Sequence, residues 1–409
     1  MIPELNTMVE QIPEALSIFV NQIVYDKKNK GEIVYTYSLG EAFFDVPRFE
    51  VSDDKFKRGC HYSSSMGQPK LRDTIAKMYK DYYDVDIDSK SEIIVSAGSK
   101  PIIFMILKAV LKQDEEVLVR EPAWLSYKEQ IRLAGGHYIP IPYYEDVYKW
   151  DDYITDKTKV IIINNPNNPS GYLYSKEELE YLLKLAEEHN LFILSDEAYS
   201  DFLLPDDKFI SFANVDKTKE HCLVVNSLSK NMGMSGWRVG YAISNDYVIK
   251  QLLKLNQHLI TCAGTVLQDY MADHFFEILE YTVPQARNMA VKRLEVSKIM
   301  DEIGIEKLYG VGTFYFLLDI DKFVGTTDEL VYDLLFNHNI ATVPGEAYGE
   351  STARFIRFGI GLENLENIRK SLLVIKSFLE LNEYDATNVH MQMDKYGIPH
   401  GDKVNYLRI

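Results

Sequence analysis

"TKVIIINNPNNPSGYLYSKEELEYLLKLAEEHNLFILSDEAY", residues 158 to 199, holds two apolar runs with one helical pattern between them. Val160 to Ile163 are apolar without alternation, the pattern of a strand buried on both faces. Ser175 followed by Glu178 forms a capping box, and Leu179, Leu182, Leu183 and Ala186 then repeat at i, i+3, i+4 and i+7, one face of a helix. The second run, Leu191 to Leu194, ends in Ser195, Asp196 and Glu197. Strand, crossover helix and strand make the repeating unit of a parallel sheet. Between the first strand and the helix lies "INNPNNPSG", residues 163 to 171, whose asparagines and prolines mark a turn and, by themselves, no more than a turn.

Outward from this unit the pattern repeats. "EIIVSAG" from Glu92, "EEVLVREP" from Glu115 and "CLVVNSLS" from Cys222 are further strands that end in small or polar residues. They alternate with helical stretches between about residues 70 and 290, which predicts an α/β sheet covered by helices on both faces. Beyond residue 290 the texture changes to a long helix, "GTFYFLLDI", another helix, "ATVPGEAYG", "RFIRFGIG" and a last helix near 363 to 381. The expected layout is an N-terminal arm (1–45) that joins a small domain, a large domain (46–290), a smaller α+β domain (291–382) and an irregular surface tail (383–409).

Composition excludes several classes. A hydrophobic fraction of 46% with 26% charged residues suits a globular protein with a large core. The net charge of −17 disfavours nucleic acid or an anionic membrane as partner, so any anionic ligand must be held by a few placed cations. Three widely spaced cysteines, Cys60, Cys222 and Cys262, suggest free thiols rather than a disulfide framework, and no Cys/His cluster has metal spacing. The start, interrupted by Pro3 and Pro13, lacks a signal-peptide layout, and the longest apolar stretch, from Pro101, is short and contains Lys108. A cytoplasmic location is expected.

In open α/β sheets ligands bind beyond the carboxyl ends of the strands. Here those ends carry chemistry. "SAGSKP" closes a strand and opens a helix at Gly98, Ser99 and Pro101, a layout suited to an anion. Asp196 ends an apolar strand, where an unpaired carboxylate is costly. "SLSKNMGMSGWRVG" places Lys230 at another strand end beside Ser227, Ser229 and Arg238. Each feature alone reads as a cap, a turn or a solvated cation. Together they fit pyridoxal phosphate, in which a lysine forms a Schiff base, a carboxylate holds the ring nitrogen protonated, and amides, hydroxyls and arginine grip the phosphate.

With these motifs in order, the chain from about Gly40 to residue 380 resembles the class I/II aminotransferases of pyridoxal-phosphate fold type I, particularly the bacterial aspartate-aminotransferase-like branch. The resemblance implies a large domain with a mostly parallel seven-stranded sheet sandwiched by helices. It implies that Lys230 is the Schiff-base lysine and proton shuttle, that Asp196 pairs with the pyridine nitrogen and that Tyr199 reaches the ring hydroxyl. Asn168 of "NPSG" would hydrogen-bond that hydroxyl and the substrate carboxylate, with cis peptides before Pro169 and Pro122. Trp124 of "EPAWLSY" would stack on the ring, and Gly98, Ser99, Lys100, Ser227, Ser229 and Arg238 would surround the phosphate. Tyr62 of "HYSSSMGQPKLR" would cross to the phosphate of a neighbouring subunit, which implies a homodimer with shared sites. Arg357 would clamp the substrate α-carboxylate and Gly40 would close over it, while Arg354 is read as solvated. "SLGEAFFDVP" departs from the family's "GEPDFDTP" at Ala42 and Phe43, which alters the entrance.

The implied activity is transfer of an amino group from an L-amino acid to a 2-oxo acid, with glutamate and 2-oxoglutarate as one pair and aspartate as the other substrate. Lys100 either reads a distal carboxylate or points to solvent; both readings stand. The alternatives are a lyase of the same fold cleaving at Cβ or Cγ, and a cofactor-sensing regulator, for which the first 40 or so residues offer no basic helix-turn-helix.

Overall fold

The structure, a computed structural model, describes residues 5–400 of the 409. A short helix at Thr7–Glu10 precedes a longer one at Leu16–Asn29 and the two-residue strand β1 (Tyr35–Thr36). A seven-stranded sheet follows, built from β2 (Ile93–Ser96), β3 (Glu116–Arg120), β4 (His137–Ile141), β5 (Thr158–Asn164), β6 (Phe192–Asp196), β7 (Cys222–Ser227) and β8 (Gly240–Ile243). Its order is β2-β8-β7-β6-β5-β3-β4, with β8 antiparallel to both neighbours and the other pairs parallel.

The predicted strands are all present. β2 and β7 are buried along their whole length, as their unbroken apolar runs require, because helices cover both faces. Two strands escaped the sequence reading. β4 ("HYIPI") is an edge strand with a proline and two exposed residues, and β8 ("GYAI") is too short to show a period. The capping box at Ser175 and Glu178 opens the helix Lys176–His189, which buries Leu179, Leu182, Leu185 and Ala186.

Register brings the chemistry to one edge. Asp196 pairs with Asn164 across β6 and β5, while Ser227 and Ser96 both pair with Gly240. The second layer is β9 (Tyr315–Asp319), β10 (Ile340–Ala341), β11 (Val343–Pro344) and β12 (Phe355–Gly359), in which the order β11-β12-β9 is antiparallel and β10 pairs with β1. A helical segment Thr265–Ile303, interrupted at His274, runs through residue 290, so the change in texture there falls inside one element.

The tail corrects its expectation. Thr387–Lys395 is a helix, and its Val389 and Met393 are buried against Val20, Ile23, Val24, Tyr332 and Leu335. Two apolar residues four apart are enough when a groove is waiting for them, and that groove is invisible in a weakly periodic sequence. Residues 401–409 of the expected tail lie outside the described residues.

Candidate active site

A pocket of about 220 Å³ opens at the carboxyl edge of the sheet, between the two layers. It is lined by Gly40, Ser99, Lys100, Trp124, Asn168, Asp196, Tyr199, Ser227, Ser229, Lys230, Arg238 and Arg357. Gly98 sits immediately beside it as the residue before the helix Ser99–Val110, with φ +95°, and a Cβ there would lie 2.5 Å from Arg238 Nη2. Tyr62 is 87% exposed and does not enter the pocket of its own chain.

Lys230 lies in the short helix Leu228–Asn231 at the end of β7, and its Nζ donates to the carbonyl of Gly40 at 2.5 Å. Burial pulls its pKa down to about 8; Glu41 and Asp196 oppose the fall, while Arg357 and Arg238 add to it. A neutral amine is therefore within reach near neutral pH, the condition for a nucleophilic lysine.

Asp196 is buried, and burial raises its pKa. Three groups favour the anion against that pressure: Tyr127 Oη donates to Oδ2 at 2.7 Å, Ala198 N–H donates to Oδ1 at 3.2 Å, and Lys230 supplies positive charge. Tyr127 is a residue that sequence reasoning missed. It falls three positions after Trp124, in the first turn of the helix Ser126–Ala134, and packs edge-on to the Trp124 ring at 5.2 Å.

The asparagine turn is a scaffold. Asn164 Nδ2 donates to the carbonyl of Asp196 and its Oδ1 accepts from the Asn168 N–H at 2.6 Å. Asn167 Oδ1 accepts from Ser170 N–H and Oγ. Glu121–Pro122, Asn165–Pro166 and Asn168–Pro169 are cis, the middle one unforeseen. Asn168 Nδ2 then reaches Tyr199 Oη at 3.2 Å, and its Oδ1 is buried with no partner. Tyr199 Oη is also 3.2 Å from Tyr315 Oη, a second residue the sequence did not reveal, since "GTFYFLLDI" reads only as a buried strand.

Gly98, Ser99, Ser227, Ser229 and Arg238 form a cradle at the mouth of β2 and β7. Ser227 Oγ donates to Ser229 Oγ at 2.8 Å, and Arg238 Nη1 donates to Ser229 Oγ at 3.3 Å and to the Ser235 carbonyl at 2.8 Å. A helix N-terminus with nearby hydroxyls and a guanidinium suits a phosphate dianion. Lys100 Nζ stands 5.0 Å over the Trp124 ring at the pocket wall, its pKa lowered by burial and by Arg238.

Arg357, on β12, is 3% exposed. Its Nη2 donates to the Ser38 carbonyl at 2.5 Å, its guanidinium lies over the rings of Tyr315 and Tyr348, and its Nε has no partner. A buried cation with an unused donor is suited to a carboxylate. Arg354 is partly solvated, as expected, but it also donates to the carbonyls of Gly325, Ile320, Asp321 and Phe323 and so ties a loop while part of it faces water.

The orphaned Asn168 Oδ1 and Arg357 Nε, the cradle that a Cβ at Gly98 would obstruct, and the facing lysine and aspartate fit a phosphorylated, ring-nitrogen aldehyde with a carboxylate-bearing substrate.

The family description "Aminotransferase class I and II" matches residues 50–372. The chain is 33% identical over 346 residues to an aspartate aminotransferase of Pyrococcus abyssi, covering 81% of this chain and 89% of that protein. It is 31% identical over 363 residues to aromatic-amino-acid aminotransferase 2 of Thermococcus litoralis, covering 84% and 92%. Among solved structures, aspartate aminotransferase from Thermus thermophilus with maleate superposes with a TM-score of 0.83 at 27% identity, over 92% of this chain and all of that one.

Proposed function

The chain belongs to the class I and II aminotransferases, and from that premise we propose that it moves the amino group of an L-amino acid to a 2-oxo acid, using pyridoxal 5'-phosphate. Glutamate and 2-oxoglutarate are proposed as one pair and aspartate as a second donor. Relatives named for aspartate and for aromatic substrates support the reaction class and leave the side chain open.

The observation that carries the reading is Lys230, with a pKa near 8, sharing one pocket with Asp196 and Arg357. When bound, the cofactor supplies an aldehyde for the lysine and a ring that accepts the electrons left when the substrate Cα–H bond breaks. In this reading Asp196 faces the ring nitrogen and keeps a proton there. Tyr199 Oη and Asn168 Nδ2 orient the ring oxygen, Trp124 covers the ring face, and Ser99, Ser227, Ser229 and Arg238 hold the phosphate with Gly98. Arg357 would fix the α-carboxylate so that Lys230 Nζ could take the Cα proton and return it on the far side of the amino nitrogen, two atoms away. Gly40 borders the entrance, and Lys100 is free to meet a distal carboxylate. Tyr62, exposed in one chain, is proposed to complete a partner subunit's phosphate site in a homodimer.

The test is an absorption titration of the cofactor-loaded protein with single amino acids, beginning with aspartate and glutamate. A spectral conversion that 2-oxoglutarate reverses, and that Lys230→Ala abolishes, supports transamination. Release of pyruvate and ammonia without an oxo-acid acceptor would replace it with the lyase reading.

A further inference from the structure

A second cavity of about 300 Å³ adjoins the first and shares Lys100, Trp124 and Leu125 as a wall. Its lining includes Glu14, Glu121, Glu129 and Glu346 against Lys100 and Lys128, an excess of negative charge beside a site otherwise built for anions. Glu121 is the unusual member. It follows β3 at the sheet's carboxyl edge and is 4% exposed, yet its partners are neutral: Tyr138 Oη at 3.3 Å and the Ser351 N–H at 3.0 Å. Among the described residues no cation pairs with it. The backbone is shaped around this carboxyl group, since Gly349 has φ +144° and a Cβ there would lie 2.3 Å from Glu121 Cδ.

Burying a carboxylate with no counter-charge is costly unless a ligand provides one. A second observation points the same way. Gln130 Oε1 and Tyr348 Oη, on residues at least nine-tenths buried that line this cavity, have no hydrogen-bond partner, and neither has Glu129 Oε2. Two oxygens that only accept, Gln130 Oε1 and Glu129 Oε2, and a hydroxyl that can accept, beside an uncompensated carboxylate, call for a group that only donates, which describes an ammonium or guanidinium. Geometry connects the two compartments: the Tyr348 ring lies 5.0 Å from the Arg357 guanidinium carbon. A substrate clamped at Arg357 has this cavity as its neighbouring space.

We infer that the second cavity houses the side chain of an amino donor with a cationic nitrogen at its far end, an assignment of substrate class that rests on the aminotransferase reading. In a two-stage cycle the compartments divide the work. Lys100, on the shared wall, meets an anionic oxo acid in one half-reaction, and Glu121 meets the cationic donor in the other.

The experiment compares 6-guanidinohexanoate with hexanoate as ligands of the cofactor-loaded protein, followed by calorimetry. Both offer a carboxylate to Arg357, neither has an α-amino group, and only the first has a cationic end. The guanidino ligand should bind at least about tenfold more tightly, the scale of a charged hydrogen bond, and Glu121→Gln should remove most of that preference. Equal binding, or tighter binding of hexanoate, overturns the assignment even if glutamate is transaminated. A Glu121-dependent preference in a protein that transaminates no amino acid would keep the cation compartment and refute the aminotransferase reading. If Glu121→Gln does not fold, the wild-type comparison stands alone and Glu129→Gln provides the variant. As a kinetic counterpart, the ratio of kcat/KM for ornithine or lysine over norleucine should fall in the same variants.

Discussion

At the residue scale, Lys230 joins sequence to chemistry through its surroundings. An exposed lysine stays protonated to about pH 10, whereas burial between Arg357 and Arg238 brings this one to about 8. The free amine is the reactive form, so reactivity appears as pH rises through that value. Cofactor capture by the cofactor-free protein should rise about tenfold between pH 7 and 9 and level off above, whereas an unshifted lysine would still be climbing there. Stopped-flow absorbance checks this, and Glu41→Gln should move the midpoint lower because Glu41 supports the charged form. Tyr127→Phe tests the buried acid. It removes the phenol that donates to Asp196 Oδ2 and should lower kcat by about tenfold, the value of a hydrogen bond to a charged group, with KM for the amino acid little changed.

At the element scale, strand ends decide the site and helix starts complete it. Runs such as Ile93–Ser96 and Cys222–Ser227 were legible because a sheet covered on both faces demands unbroken apolar residues. With the strands placed, Gly98, Asp196 and Lys230 followed, since each stands where a parallel sheet delivers its side chains. Tyr127 and Tyr315 were not legible. Tyr127 reaches Asp196 from a helix face and Tyr315 lines the pocket from the second layer, and neither carries a polar pattern that separates it from core. Gly98 tests the element argument. Alanine there meets both the positive φ and the Arg238 guanidinium, so Gly98→Ala should release the cofactor at least about tenfold more readily on dialysis, while the β2 strand and the fold survive. Unchanged retention would show that Arg238 has room to move and that the cradle does not depend on this glycine.

At the scale of the whole molecule, the helices Leu16–Asn29 and Thr387–Lys395 meet on one small core. Val20, Ile23 and Val24 of the N-terminal helix pack with Tyr332, Leu335 and Ala341 and with Val389 and Met393 of the C-terminal helix. Leu16 of the same N-terminal helix packs on this cluster and also lines the second cavity, and Ser17 lines the first. The N-terminal helix therefore links the C-terminal helix to both pockets. Met393 is fully buried, so Met393→Ala should cost about 2–5 kcal/mol, read as a lowered midpoint in denaturant. Because Lys230, Asp196 and Arg357 sit on other elements, the chemical step should hold while the wall formed by residues 12 to 17 loosens. The expected signature is a several-fold rise in KM for the amino donor at nearly unchanged kcat, measured at a temperature where the variant remains folded. Equal loss of kcat and kcat/KM would place the C-terminal helix in support of the reacting groups themselves, and a stability loss with no kinetic change would confine it to holding the N-terminal helix down.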